Sequence, residues 1–362
     1  MKRSGFGMAL AALLLITTAR MASAEPYLAV QSGYKCSSCH VNPTGGGLRS
    51  DFGIVYAQNI LPATTLGDAT SAWTGRLGDL LRLGGDLRAN WSRTEVPESP
   101  TVQKFAVDQV RVYGEISMIR DRLSLYVDEK VAPNAAENFE AYAKYVDPAH
   151  GWYVKGGKFY LPFGWRLQDQ TAFVREVTGI SMTTPDQGVE LGYDRDNWSA
   201  QLAFTNGAAN AQSGSGNQVT GQLIYTLARW RAGLAASHTK ADAGNRNVLG
   251  VFAGLRTGPV AWLGEADLVS DDGYPEGRRR LVSLLGEADW RLAKGHNLKL
   301  TAEYYDPDRN ISEDQQARYS ALYEFTPIPF LQLRAGYRRY RGIPQNDTQN
   351  RHLTFIELHG FF

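Results

Sequence analysis

The chain's two cysteines stand in one five-residue stretch, Cys36-Ser37-Ser38-Cys39-His40. At this spacing both thiols can reach one edge of a porphyrin and add across its vinyl groups. The adjacent histidine can fold beneath the ring and offer a neutral imidazole nitrogen to the iron, which is the chemistry of a c-type haem site. The same residues admit a Cys36 to Cys39 disulfide with a bystander histidine, or a thiol-redox pair. Redox pairs of that kind sit at a strand-to-helix turn in a βαβ unit, and nothing near residue 36 reads as one. No G-x-S-x-G, P-loop or H-E-x-x-H motif occurs, so nothing supports hydrolase, kinase or metalloprotease chemistry.

These thiols are expected to mature outside the cytoplasm. Residues 1–24 begin with Lys2-Arg3, continue through the apolar run Met8 to Ile16, and end in Ala22-Ser23-Ala24, the pattern of an export signal with Glu25 as the mature start. The 362 residues carry 38 Lys+Arg against 37 Asp+Glu, and losing Lys2, Arg3 and Arg20 leaves 35 bases to 37 acids. Such a balance gives no basic field for nucleic acid. After the leader no run of 18 apolar residues appears, which excludes a membrane-spanning helical bundle. A soluble fold or a transmembrane β-barrel remains.

The period of the sequence decides between them. From about Leu80 to Phe362 it is two, as in Leu81 to Ser92, where Leu81, Leu83, Leu87, Ala89 and Trp91 share one parity and Arg82, Asp86, Arg88, Asn90 and Ser92 the other. About sixteen such segments recur, roughly 18 residues per strand and connection, separated by short and long connections in alternation. Short ones include Arg120-Asp121-Arg122 and Thr257-Gly258-Pro259; long ones include Thr94 to Lys104, Gly207 to Asn217 and Arg341 to Gln349. Trp152, Trp198, Trp230 and Trp262 each follow a short turn and Trp290 precedes one, which places an aromatic belt at one edge. The expected fold is therefore all-β: a transmembrane antiparallel up-and-down barrel of about sixteen strands over 79–362, with residues 25–78 as a small N-terminal plug. By the rule for outer-membrane barrels, short turns and both termini face the periplasm.

The leader, the Ala29 to His40 segment around the paired cysteines, and a barrel ending in Phe361-Phe362 together resemble the fused monohaem cytochrome-porin family of the outer membrane of Gram-negative bacteria. Its best-known members are iron oxidases. The resemblance covers the architecture of the whole chain but only some twelve to twenty residues around the motif in sequence, and the Pro43 to Gly47 segment has no clear match among the iron oxidases. It implies one covalent haem c on Cys36 and Cys39, His40 as proximal ligand, and electron passage between an extracellular redox partner or metal ion, Fe(II) among the candidates, and periplasmic carriers. Outer-membrane lipid and further copies of the chain are expected partners. Because the apolar band of such a barrel is about 25 Å tall, one haem on a periplasmic tail would leave most of the distance uncrossed, so the haem must enter the lumen. Gly45 to Gly47 would let backbone pass close to it, and Arg49 is the candidate partner of a propionate. For the distal ligand, His359 and Met182 are candidates, with His150 and His296 behind them, and an open sixth position is the remaining option. Met182 lies in the longest connection, Pro162 to Pro185, which could fold into the lumen as a constriction. The competing function is a passive porin for ions or small solutes with a disulfide-pinned plug.

Overall fold

The structure is a computed structural model that describes residues 25–66, 73–207, 216–242 and 244–362, so the expected leader lies outside the described residues. Sixteen antiparallel strands form one closed ring. They are β1 (Leu81–Glu95), β2 (Val102–Ile119), β3 (Leu123–Ala132), β4 (Glu137–Asp147), β5 (Trp152–Phe159), β6 (Asp186–Arg195), β7 (Trp198–Thr205) and β8 (Gly216–Thr226), then β9 (Trp230–Ala241), β10 (Gly244–Thr257), β11 (Val260–Asp271), β12 (Arg279–Ala293), β13 (His296–Asp306), β14 (Gln316–Ile328), β15 (Leu331–Arg341) and β16 (His352–Phe361). Each pairs with its sequence neighbours, and β16 closes on β1 from His352 opposite Glu95 to Phe361 opposite Asp86. Closure leaves no unpaired edge, the condition a sheet must meet to sit in lipid.

The two parities face different solvents. In β2, Val112, Ile116 and Met118 point outward, while Gln109, Arg111, Tyr113 and Glu115 are buried inside. The five tryptophans of the belt are all exposed at the short-turn end; Trp152 packs on Tyr193 at 4.9 Å and Trp198 on Tyr225 at 4.6 Å.

Two expectations need correction. The connection read as Thr94 to Lys104 is shorter than that, because β1 runs to Glu95 and β2 begins at Val102, leaving 96–101 between them. A bulge explains why: the pairing steps from Arg88 opposite Gln109 to Ala89 opposite Val107, so Asp108 is extra and the outward parity flips between Phe105, Val107 and Val112. Alternation of short and long connections is also not strict. On the long-loop side, the links 133–136 and 242–243 are no longer than the 148–151 link at the other end.

The bore is filled from both ends. From the short-turn end enters the plug, with helices α1 (Pro26–Ser32), α2 (Cys36–Cys39) and α3 (Asp51–Asn59). Pro26 starts α1 with its φ preset, and Gly33 ends it in the left-handed region. Ser50 caps α3 by accepting the Gly53 N–H at 3.1 Å and ties it to α2 by donating to the Ser38 carbonyl at 2.6 Å. The rim holds the plug through Lys35 to Asp194 at 2.6 Å, Gln31 to the Pro259 carbonyl at 3.0 Å and the Ala63 N–H to the Thr326 carbonyl at 2.8 Å. From the other side the 160–185 connection folds inward, as expected of a constriction, and carries the short helix α4 (Phe173–Thr178). Its Phe163, Trp165, Leu167, Val174 and Ile180 are buried, Arg175 pairs with Glu265, and Asp169 meets Arg318 and Arg338, each at 2.8 Å. Both insertions approach the wall at Gly254, where a Cβ would come within 2.6 Å of Val30 and 3.3 Å of Trp165.

Candidate functional site

Between plug and inward connection lies a cavity of about 1330 Å³, counting the part open to solvent. Cys36, Cys39, His40 and Arg49 all line it, opposite Trp165 and Phe252.

Local structure explains how the motif is presented. One helical turn brings Cys36 and Cys39 to the same side, and His40 closes that turn by donating its N–H to the Cys36 carbonyl at 3.0 Å. His40 then bridges to Arg49 as a single antiparallel β pair, so residues 41–48 form a loop that returns Arg49 beside the motif. Gly45 sits at φ 92° against Cys36, where a Cβ would lie 3.4 Å from that cysteine's Cβ and 3.6 Å from its Sγ. A larger residue would narrow the space beside the thiol.

Charge and hydrogen bonding fit an iron porphyrin here. Burial, reinforced by Arg49, pulls His40 down to about 3 against the backbone of Gly46 and Gly47, so the imidazole is neutral, the form that binds a metal. Its Nδ1 is enclosed with no hydrogen-bond partner. The two thiols are not joined to each other, and burial, with Cys36 nearby, pushes the Cys39 thiol up to about 11, the opposite of the depressed value a redox thiolate needs. Arg166 from the inward connection and Arg231 from β9 line the cavity with Arg49, and none of the three has an ion pair within 4.0 Å among the described residues. Arg231 donates to the Ala29 and Tyr34 carbonyls, Arg166 to Thr44 Oγ1 at 2.7 Å, and Arg49 lies over the Phe361 ring at 4.7 Å. Three guanidinium groups without carboxylates suit a ligand with two carboxylates, such as haem.

The distal candidates fare differently. His359 lines the cavity, but its Nε2 lies 2.8 Å from Asp86 Oδ2 and its Nδ1 3.1 Å from Gln332 Oε1, with Arg88 donating at 2.9 Å. It is tied into the wall rather than free to ligate. Met182 is in the wrong place altogether, packed with Phe139 and Tyr160 in a separate cluster. His150 binds Asp147 at 2.7 Å on the exposed rim, and His296 stacks on Phe325 at 4.5 Å. Sequence reasoning placed Arg166 only in the longest connection, without assigning it to this cavity, and missed Arg231, whose available signal was its inward parity after Trp230.

No protein-family model matches the chain, and no curated protein does either. Solved structures do. An anion-selective porin from Comamonas acidovorans superposes with a TM-score of 0.63 at 10% identity, over 78% of this chain and 99% of that one. OmpT of Vibrio cholerae in its trimer form gives 0.61 at 9%, over 78% and 100%. OmpF of Salmonella typhi, solved with daunomycin, gives 0.59 at 13%, over 79% and 98%. At such identities the likeness is one of fold and bears on no cofactor. The chain is therefore a closed sixteen-stranded β-barrel with the fold of the outer-membrane porins.

Proposed function

We propose that this barrel is an outer-membrane cytochrome-porin that moves electrons between an extracellular donor or acceptor and periplasmic carriers, with both termini on the periplasmic side. The observation that carries the reading is the placement of Cys36, Cys39 and His40 inside the bore, on one wall of a cavity whose arginines lack carboxylate partners. Cys36 and Cys39 would hold one haem c by thioethers, His40 would ligate its iron, and Arg49, Arg166 and Arg231 would face its propionates. The bound haem supplies a one-electron carrier. Trp165 and Phe252 keep water from that wall, and the plug with the inward connection blocks the bore so that solutes do not follow the charge.

A passive porin with a pinned plug is the second reading, favoured by the structural neighbours, one of which is described as anion-selective. The trimer form of OmpT makes a homo-oligomer of this chain a fair expectation under either reading. One experiment separates them. Haem staining of the denatured band with a pyridine haemochrome spectrum should give c-type absorbance that is lost in C36A/C39A. A colourless protein that conducts ions in a planar bilayer overturns the first reading in favour of the second.

A further inference from the structure

The outer side of the plug, at the short-turn mouth, is apolar. In α3, Gly53, Ile54, Tyr56 and Ala57 are buried, whereas Phe52 and Val55 are 39% and 54% exposed. Ile60, just past the helix, is 47% exposed and Tyr34 beside it 43%. These side chains make one face, since the Tyr34 and Phe52 rings meet edge to face at 5.0 Å and Phe52 lies 6.3 Å from Tyr56. A surface helix ordinarily turns charged or polar residues outward. An exposed apolar patch with a charged border marks a contact site.

The border carries one sign of charge. The β8–β9 turn holds Arg229 in solvent, and the end of the β12–β13 hairpin holds Arg291 and Lys294 there. None of the three has an ion pair within 4.0 Å among the described residues. All stand against the plug: a Cβ on Gly33 would come 2.7 Å from the Ala228 carbonyl oxygen, which sets Arg229 beside Tyr34, while Arg291 and Lys294 line a recess with Tyr56 and Ile60. The nearby acids are already held, Asp51 by Arg76 and Arg82 at 2.6 and 2.8 Å and Asp194 by Lys35 at 2.6 Å. Elsewhere on this rim the signs mix, with Asp147 beside His150 and Asp196 beside Arg195. The uncompensated charge around α3 is therefore positive.

That charge selects the occupant. A second copy of this chain would bring the same bases against these, and a basic protein would be repelled likewise. We propose that the apolar face of α3 and Tyr34, with Arg229, Arg291 and Lys294 along one side, is the docking surface for a small soluble redox protein whose own contact face is acidic. The inference rests on the electron-transfer reading above and adds where the carrier sits and which charge it brings. Tyr34 and Tyr56 also line the cavity that holds Cys36 and Cys39, so a protein seated here is separated from the motif by single side chains. Weak electron-transfer encounters bury less than about 1,200 Å² in total, a scale that suits one short helix and its border.

The test uses the full-length barrel in detergent and two soluble probes of opposite charge: cytochrome b5, which is acidic, and mitochondrial cytochrome c, which is basic. Cytochrome b5 should bind and cytochrome c should not, and raising salt from about 50 to about 300 mM should weaken the complex about tenfold. R229E/R291E/K294E should lose cytochrome b5 by about tenfold or more and gain cytochrome c, a gain that only a folded barrel can show. V55S should weaken cytochrome b5 about threefold with the salt dependence unchanged. Equal binding of the two probes to the parent, or undiminished cytochrome b5 binding by the triple variant, would overturn the proposal. A pyridine haemochrome spectrum of the same preparation keeps the two ideas apart. Full haem without charge-dependent binding overturns the docking surface alone, whereas a haem-free barrel overturns the electron-transfer reading and the redox identity of the partner with it.

Discussion

The two halves of the bore differ in how their charges are met. Along most of the wall, charge is matched within the barrel: Arg88 between Asp86 and Glu357, Arg318 between Glu303 and Asp169, Arg175 on Glu265. Around the plug the matching is partial: Lys35 meets Asp194 and Lys299 meets Glu25, but Arg49, Arg166 and Arg231 have no carboxylate partner among the described residues. A barrel wall that folds against itself can be balanced when the chain is synthesised. The three guanidinium groups without a carboxylate partner all line the cavity between plug and inward connection.

This contrast is broken most sharply where balance is complete. Glu265 is 4% exposed, accepts the Trp165 N–H at 3.1 Å and pairs with Arg175 of α4. In E265A the guanidinium is left buried without a counter-charge, held only by the Phe163 and Ile180 carbonyls, and the expected loss is about 3–5 kcal/mol in denaturant unfolding, with a rise in single-channel conductance as the inward connection loosens. R175M/E265L, which removes both charges, should recover most of that loss. Equal losses in the single and double variants would mean that packing, not charge matching, holds the connection.

Asp169 ties the same connection to the opposite wall and adds a pH dependence. Burial alone would raise its carboxyl, but Arg318 and Arg338 reverse that and hold it well below the usual range. A depressed pKa means stability that is present above the unfolded value near 4 and declines as pH falls toward the folded one. The barrel should therefore unfold equally at pH 7 and 5.5 and more easily below 4. D169N should cost about 1–3 kcal/mol at pH 7 and flatten that acid limb. Unchanged acid sensitivity in D169N would assign the limb to other carboxylates.

The strands were legible because the wall separates lipid from a polar interior, so every strand repeats the same two-residue alternation. Legibility failed at Asp108, where one extra residue reversed the parity and hid the first part of β2. The motif was legible for a different reason, since two thiols and an imidazole within five residues need no tertiary information. The rest of the site was not, because Arg166 reaches Thr44 across 122 residues and Arg231 reaches Ala29 across 202. Likewise α1 has a single Pro start and a Gly end, and contacts from Arg231 and Arg256 fix its place in the bore. His359 shows the limit from the other direction. Parity put it inside correctly, but no sequence pattern says that Asp86 and Gln332 already occupy its two nitrogens.

Arg49 gives the smallest change in stability and the cleanest test of the contrast. Arg88 and Arg318 hold several carboxylate oxygens each, whereas Arg49 has the Phe361 ring 4.7 Å away and no hydrogen bond or ion pair from its side chain among the described residues. Removing it forfeits only a cation–π contact, and because burial already pulls its pKa down, it also relieves a desolvated charge. R49Q should thus stay within about 1 kcal/mol of the parent in unfolding. If the guanidinium is there to meet a propionate, the same variant should show a reduced haem yield or a shifted absorbance band. A stable R49Q barrel with full haem and an unaltered spectrum would assign the cavity's positive charge to the neighbouring Arg166 and Arg231, leaving Arg49 as packing for the C-terminal strand.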